Sequence, residues 1–218
     1  MKKALNKSTV LITAGPTYEK LDPIRYIGNF STGKMGIEIA IAYANQGASV
    51  ILILGPSCLT VEHINIKVIN VVSAIEMMDE ALRYFENADL IILSAAVADY
   101  RPATFNETKI KKSDDNLTIT LVKNPDIFKT LGNLKTENQL LIGFALETNN
   151  ELENARKKLM EKKGDAIILN SLNDKGAGFK FSTNKITILL KNGSIFEYSL
   201  KDKQLIALDI LQCIQENF

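Results

Sequence analysis

Residues Ile12 to Gly36, ITAGPTYEKLDPIRYIGNFSTGKMG, decide the fold class. An apolar strand end runs into a long polar loop, and glycine-containing residues then open a helix rich in Ala and Ile. A helix start presents unpaired backbone N–H groups and a partial positive charge, so phosphates and carboxylates bind there readily. Lys34 adds a full charge in the first turn. Gly28 to Lys34 also reads G-x-x-x-x-G-K, the P-loop pattern, but Met35 stands where the magnesium-binding Ser or Thr belongs. The segment reads as a phosphate cradle of another design.

Working outward, Thr9 to Thr13 is a buried strand, Met35 to Asn45 a helix ending at Gly47, and Val50 to Leu54 a second strand, which together make a right-handed parallel βαβ unit. Ile66 to Val71 is a third strand. Ser73 caps the helix Ala74 to Asn87, with Glu76 placed as in a capping box. Asp89 to Ser94 is a fourth strand with an apolar run from Leu90 to Leu93, as suits a strand covered on both faces. Residues 100–123 break this rhythm: a polar excursion or flap carrying Lys109, Lys111 and Lys112 precedes a strand at Leu117 to Val122. Alternation resumes with helix Asp126 to Leu134, strand Leu140 to Phe144, helix Asn150 to Lys162 and strand Ala166 to Asn170. Ile186 to Leu190 and Ile195 to Ser199 form a hairpin around Asn192-Gly193, and helix Lys201 to Gln215 closes the chain. The expected fold is a single α/β domain over residues 1–218, with a doubly wound, mostly parallel Rossmann-like sheet, a flap excursion and a C-terminal β-hairpin. Ligands of such sheets collect at the carboxyl ends of the strands.

Charge is nearly balanced, with 26 Lys+Arg against 25 Asp+Glu, so nothing in bulk points to nucleic acid. Cys58 and Cys213 lack metal or disulfide spacing and read as small core residues. The start MKKALNKST is too polar for a signal peptide, and no run approaches the roughly 20 apolar residues of a membrane span, so a cytoplasmic location without membrane attachment is expected.

Several candidates fall at one edge of the sheet. Gly15 follows the first strand, Ser94-Ala95-Ala96 the fourth, Gly143-Phe144-Ala145 a later one, and Asn170 ends the next. Small residues there let a nucleotide approach the backbone, although one such run taken alone equally suits helix packing. Asp99 is placed to meet ribose hydroxyls or to hold Mg²⁺, or is a solvated loop acid. Arg25 could clamp a carboxylate or phosphate, and Asn29 could donate to an oxyanion or simply shape a turn. Lys109, Lys111 and Lys112 could close over an anion, or only solubilise a loop; Lys158 and Lys162 share a helix face whose ordinary role is solvation. The first loop is too long for a dinucleotide-binding turn, and His63, the only histidine, lies outside the strand-end loops, so neither NAD nor a histidine base is expected.

The quoted segment, SAAVADYRP (94–102), KIKK (109–112), KNPDI (123–127), GFALETN (143–149) and the helix bearing Lys158 and Lys162, in that order, resemble the phosphopantothenate–cysteine ligase family of coenzyme A biosynthesis over nearly the whole chain. The resemblance implies a CTP-dependent ligase joining 4′-phosphopantothenate to L-cysteine through an acyl-cytidylate, with CTP as substrate and Mg²⁺ as cofactor. It implies catalytic roles for Asn29, Arg25 and Lys109. It also implies nucleotide contacts from Gly15, Ser31, Gly33, Lys34, Ser94, Ala95, Asp99, Lys109, Asn124, Pro125, Asp126, Ile127, Phe144, Lys158 and Lys162, with the K-x-K-K strip covering the site near a homodimer interface. A flavin-dependent phosphopantothenoylcysteine decarboxylase, fused or separate, is the partner it implies. Phe30 and Thr32 depart from the family pattern, where His and Ser or Gly are usual. Two other readings compete: a P-loop-like phosphotransferase, from Gly28 to Lys34, and a nucleotide-sensing module.

Overall fold

The structure, a computed structural model, describes residues 7–111, 116–171, 176, 178, 179 and 181–218. In chain order the elements are β1 (Thr9–Ala14), β2 (Tyr18–Lys20), β3 (Tyr26–Gly28), α1 (Lys34–Asn45), β4 (Ser49–Leu54), β5 (Ile66–Asn70), α2 (Ala74–Phe85) and β6 (Leu90–Leu93). They continue with β7 (Tyr100–Pro102), β8 (Leu121–Lys123), α3 (Ile127–Leu134), β9 (Leu140–Glu147), α4 (Glu151–Glu161), β10 (Ala166–Ser171), β11 (Thr183–Leu190), β12 (Ile195–Asp202) and α5 (Lys203–Asn217).

The main sheet has the order β12-β11-β10-β9-β6-β1-β4-β5. Its pairings from β5 across to β10 are parallel, and only the β10–β11–β12 end is antiparallel. The fold expectation therefore holds: an α/β domain with a mostly parallel sheet, helices on both faces and a C-terminal hairpin. The physical reason is visible in β6, whose Leu-Ile-Ile-Leu run is buried at every position because helices cover both faces. One face packs under α1 and α5, with Ile12, Leu52, Ile92 and Ile168 in its core; the other packs under α2, α3 and α4, with Leu11, Ile91, Leu141 and Ile167. Chain order runs outward from β1 to β4 and β5, then reverses to β6 and β9 on the other side. The switch point lies between β1 and β6, where such sheets bind ligands.

Local signals in the sequence act as expected at two ends. Ser73 Oγ accepts from Glu76 N at 3.2 Å, while Glu76 Oε2 accepts from Val72 N at 2.8 Å, which fixes the start of α2. Gly193 sits at φ 94° in the β11–β12 turn, a conformation that favours glycine. Three readings need correction. The flap strand is β8 at Leu121–Lys123, paired with β7, instead of Leu117 to Val122; residues 112–115, including Lys112, lie outside the described residues. Gly28 belongs to β3 and pairs with Tyr18, so Gly28 to Lys34 does not wrap as one P-loop. Cys213 is buried but Cys58 is exposed.

Candidate anion-binding site at the sheet switch point

At the switch point, Ala96 N donates to Gly15 O at 2.9 Å, and Asn29 Nδ2 donates to Ala96 O (3.0 Å) and Val97 O (3.2 Å). The expected oxyanion donor is thus spent on fastening the first loop to the loop after β6. Between these loops α1 begins. Gly33 precedes it with φ 82°, and no side chain caps the helix. Ser31 Oγ accepts only from Gly33 N (3.3 Å) and Thr32 Oγ1 from Lys34 N (3.4 Å), both long contacts. The helix start is set deep by glycines: a Cβ on Gly36 would come within 2.5 Å of Ala14 Cβ, one on Gly33 within 3.3 Å of Gly15 Cα, and one on Gly15 within 3.0 Å of Gly55 O.

Two cavities meet there. One, of about 350 Å³, is lined by Asn29, Ser31, Gly33, Lys34, Ser94, Ala95, Asp99, Phe144 and Lys162 among the expected residues. The other, of about 440 Å³, is lined by Ala95, Asp99, Asn124, Pro125, Asp126, Ile127 and Lys162. Asn124 is held in place by donating from Nδ2 to Ala98 O (2.8 Å) and from its backbone N to Asp99 O (2.8 Å), and Arg101 braces it from behind at 3.2 Å. Asp126 caps α3 through Lys129 N (3.0 Å) and pairs with Lys162 Nζ (3.0 Å). Lys158 pairs with Glu147 at 2.6 Å. These lysines reach an incoming anion only by leaving a carboxylate.

Gly15, Arg25, Lys109 and Lys158 do not line either cavity. Gly15 lies beneath the cradle. Arg25 is taken by a residue the sequence reading passed over: Asp22, 1% exposed, accepts from Arg25 Nη2 (2.5 Å) and Nε (3.0 Å), from the backbone N of Ile24 and Arg25, and from Ile110 N (3.2 Å). Arg25 Nη2 in turn donates to Ile110 O at 3.0 Å. Asp22 and Arg25 therefore grip both polar groups of the Ile110 peptide, between Lys109 and Lys111. The Arg25 guanidinium holds the Asp22 carboxyl well below the usual carboxylate range. A depressed carboxyl contributes above its ordinary value of 3.8 and loses that contribution only as pH falls through its lower folded-state value, so this latch persists at pH 4. Asp22→Asn is expected to speed tryptic cleavage after Lys109 and Lys111 by about threefold or more. Limited proteolysis with mass spectrometry checks this, and equal rates would show that the latch does not hold the segment.

Among the residues that sequence reasoning passed over, Lys203 and Asn184 line the first cavity and Gly55 packs against Gly15 beneath it. The sequence carries a signal for only one of them, a glycine directly followed by Pro56 at the end of a strand.

A doubly wound α/β sheet with an uncapped helix start, an adjoining lysine and paired cavities at its switch point defines a Rossmann-like domain. The sequence profile of the DNA/pantothenate metabolism flavoprotein C-terminal domain matches residues 5–218, and the chain belongs to that family. A cysteine/cysteine sulfinic acid decarboxylase of an unknown prokaryotic organism is 47% identical over 98% of this chain and 59% of its own length. The coenzyme A biosynthesis bifunctional protein CoaBC of Vibrio vulnificus (strain CMCP6) is 44% identical over 98% of this chain and 53% of its own. Among solved structures, the C-terminal domain of a CoaBC protein is 40% identical with a TM-score of 0.83, over 99% of this chain and 97% of that one. The chain spans between half and three fifths of the length of these curated relatives. No described helix is long and apolar enough to cross a membrane.

These findings correct the ligase expectation. The family is described as a flavoprotein domain, and the relative at 47% identity carries a decarboxylase name. The assignments of ligase activity, of CTP and of Mg²⁺, including Asp99 as its ligand, are withdrawn on that ground, and the phosphotransferase and sensing alternatives with them. The family description implies flavin, and the residues here fit it only in part. The start of α1 suits a phosphate group. The isoalloxazine ring needs a flat slot, and the rings on the cavity walls, Phe144 and Phe179 in one and Tyr100 and Phe128 in the other, form no stacked pair. The stacked pair among the described residues, Tyr18 and Tyr26, has its centroids 3.8 Å apart and leaves no gap. No chemical step is therefore assigned to a flavin on this chain.

Proposed function

We propose that this domain serves coenzyme A biosynthesis by binding a phosphorylated pantothenate derivative, 4′-phosphopantothenate or its cysteine conjugate, with the phosphate at the start of α1. The observation that carries the reading is that α1 opens without a side-chain cap, at a left-handed Gly33, onto a cavity that Lys34 also lines. A phosphate dianion supplies the missing acceptors and meets both the helix dipole and the ammonium. The two cavities share Ala95, Val97, Asp99 and Lys162, so a long ligand anchored at one end can extend from the first into the second. The CoaBC relatives support the metabolic context.

Titration calorimetry with 4′-phosphopantothenate, its cysteine conjugate, pantothenate and FMN tests the reading. The phosphorylated pantothenates are expected to bind at least about tenfold more tightly than pantothenate, the worth of one or two charge-assisted hydrogen bonds. Equal affinity for pantothenate, or tighter binding of FMN, would overturn it.

The reading includes a homodimer formed through the flap. A two-stranded sheet is marginal alone in water, yet β7–β8 leaves Tyr100, Leu121 and Val122 exposed, and Phe105 and Leu117 beside them are more than half exposed. A second copy of this chain offers the same apolar surface about a two-fold axis. Light scattering is expected to give a dimer for the wild type and a monomer for Leu121→Glu; a wild-type monomer at all concentrations would sink the assignment.

A further inference from the structure

Lys203, the first residue of α5, is 4% exposed and lines the same cavity as Lys34. Burial and nearby positive charge disfavour an ammonium there. Burial strips its water, and the helix start carries a like partial charge. Two of its three N–H groups go to backbone carbonyls, Phe181 O at 2.8 Å and Gly178 O at 3.0 Å, and it has no carboxylate partner among the described residues. A second group on that wall is also incomplete. Asn184 is 1% exposed and donates from Nδ2 to Asn170 Oδ1 at 3.2 Å, but its Oδ1 has no hydrogen-bond partner among the described residues. That open oxygen is an acceptor and calls for a donor such as water, so the anion-binding character of this wall rests on Lys203.

We propose that Lys203 is a second anion contact of this site, its remaining N–H donating to an oxygen of the phosphate group held at the start of α1. The inference rests on the phosphate-ligand reading but not on which phosphorylated molecule is bound. An anion reaching both Lys34 and Lys203 relieves the repulsion between them and supplies Lys203 with a counter-charge that none of the described residues provides. Burial first, and the charge of Lys34 second, lower Lys203 to about 8. The other charged groups on the cavity are Lys34 of α1, Asp99 and Lys162; against α5, Lys201 of β12 is already paired with Asp209 at 2.8 Å. Anion binding stabilises the charged form of Lys203, so above pH 8 the complex takes up a proton that the free protein lacks.

The test is calorimetry at about pH 8.5 in two buffers of different ionisation enthalpy, with sulfate, which does not titrate there, and with 4′-phosphopantothenate. Wild-type protein is expected to take up a substantial fraction of a proton on binding. Lys203→Met is expected to bind about tenfold more weakly and take up none. Lys203→Arg, whose guanidinium stays charged, is expected to keep the affinity without the uptake. Lys34→Met, with weaker binding and an uptake that is reduced but not abolished, assigns the proton to Lys203. If Lys203→Met does not fold, the wild-type and Lys203→Arg comparison decides. No uptake in the wild type, or full uptake in Lys203→Arg, would overturn the inference. Sulfate binding with uptake but no binding of phosphopantothenate leaves the Lys203 contact standing and sinks the ligand assignment. Phosphopantothenate binding with no uptake does the reverse.

Discussion

Replacing Lys34 by Met is expected to weaken binding of 4′-phosphopantothenate by about 10- to 100-fold, the equivalent of roughly 1.5–3 kcal/mol for a hydrogen bond to a charged group. The melting temperature should stay within about 2 °C of the wild type, because Lys34 is half-buried and has no carboxylate partner that its removal would leave unpaired among the described residues. The helix dipole and the backbone amides remain, so binding is expected to weaken without disappearing. Calorimetry at two salt concentrations checks both parts: the wild-type affinity should fall more steeply with salt than that of the variant. Unchanged affinity would remove the start of α1 from the phosphate site.

The second large effect is structural. A Cβ on Gly55 would lie 1.8 Å from Pro16 O, a backbone atom that cannot swing aside as a side chain can. Gly55 N also donates to Ala14 O at 2.9 Å, which ties the end of β4 to the end of β1. Gly55→Ala is therefore expected to cost about 3 kcal/mol or more, lowering the melting temperature by roughly 6–12 °C in a chain of this length. Gly193→Ala is the matched control. Its Cβ would meet nothing within 4 Å, so only the φ of 94° opposes it, at a cost of about 1 kcal/mol. Thermal unfolding followed by circular dichroism separates the two, and equal shifts would show that the Gly55 contact relaxes cheaply.

The legible parts of the fold are those where one physical rule dominates. Strands covered on both faces read as unbroken apolar runs, as at β6; Asn192-Gly193 names its own turn; Ser73 and Glu76 mark a helix start. The elements that went unread are three residues long. β2, β3 and β7 have no periodicity of their own and exist because tertiary contacts hold them, as the pairing of Tyr18 with Gly28 does. In the site, residue type was legible and pairing was not. Arg25 reads as a free clamp until Asp22, three residues earlier, is seen to occupy it. Lys158 and Lys162 read as solvated until Glu147 and Asp126 arrive from other elements. Lys203 gave no pattern at all, since nothing local says that a lysine opening the last helix will be buried beside the first.

The row of Gly15, Gly33 and Gly55 has a further consequence. The cradle they form is made of main chain held between strand ends, so a ligand arriving there freezes few rotatable bonds of the protein. Association should then be governed by diffusion and charge more than by rearrangement, and ligands of this site should differ mainly in how slowly they leave.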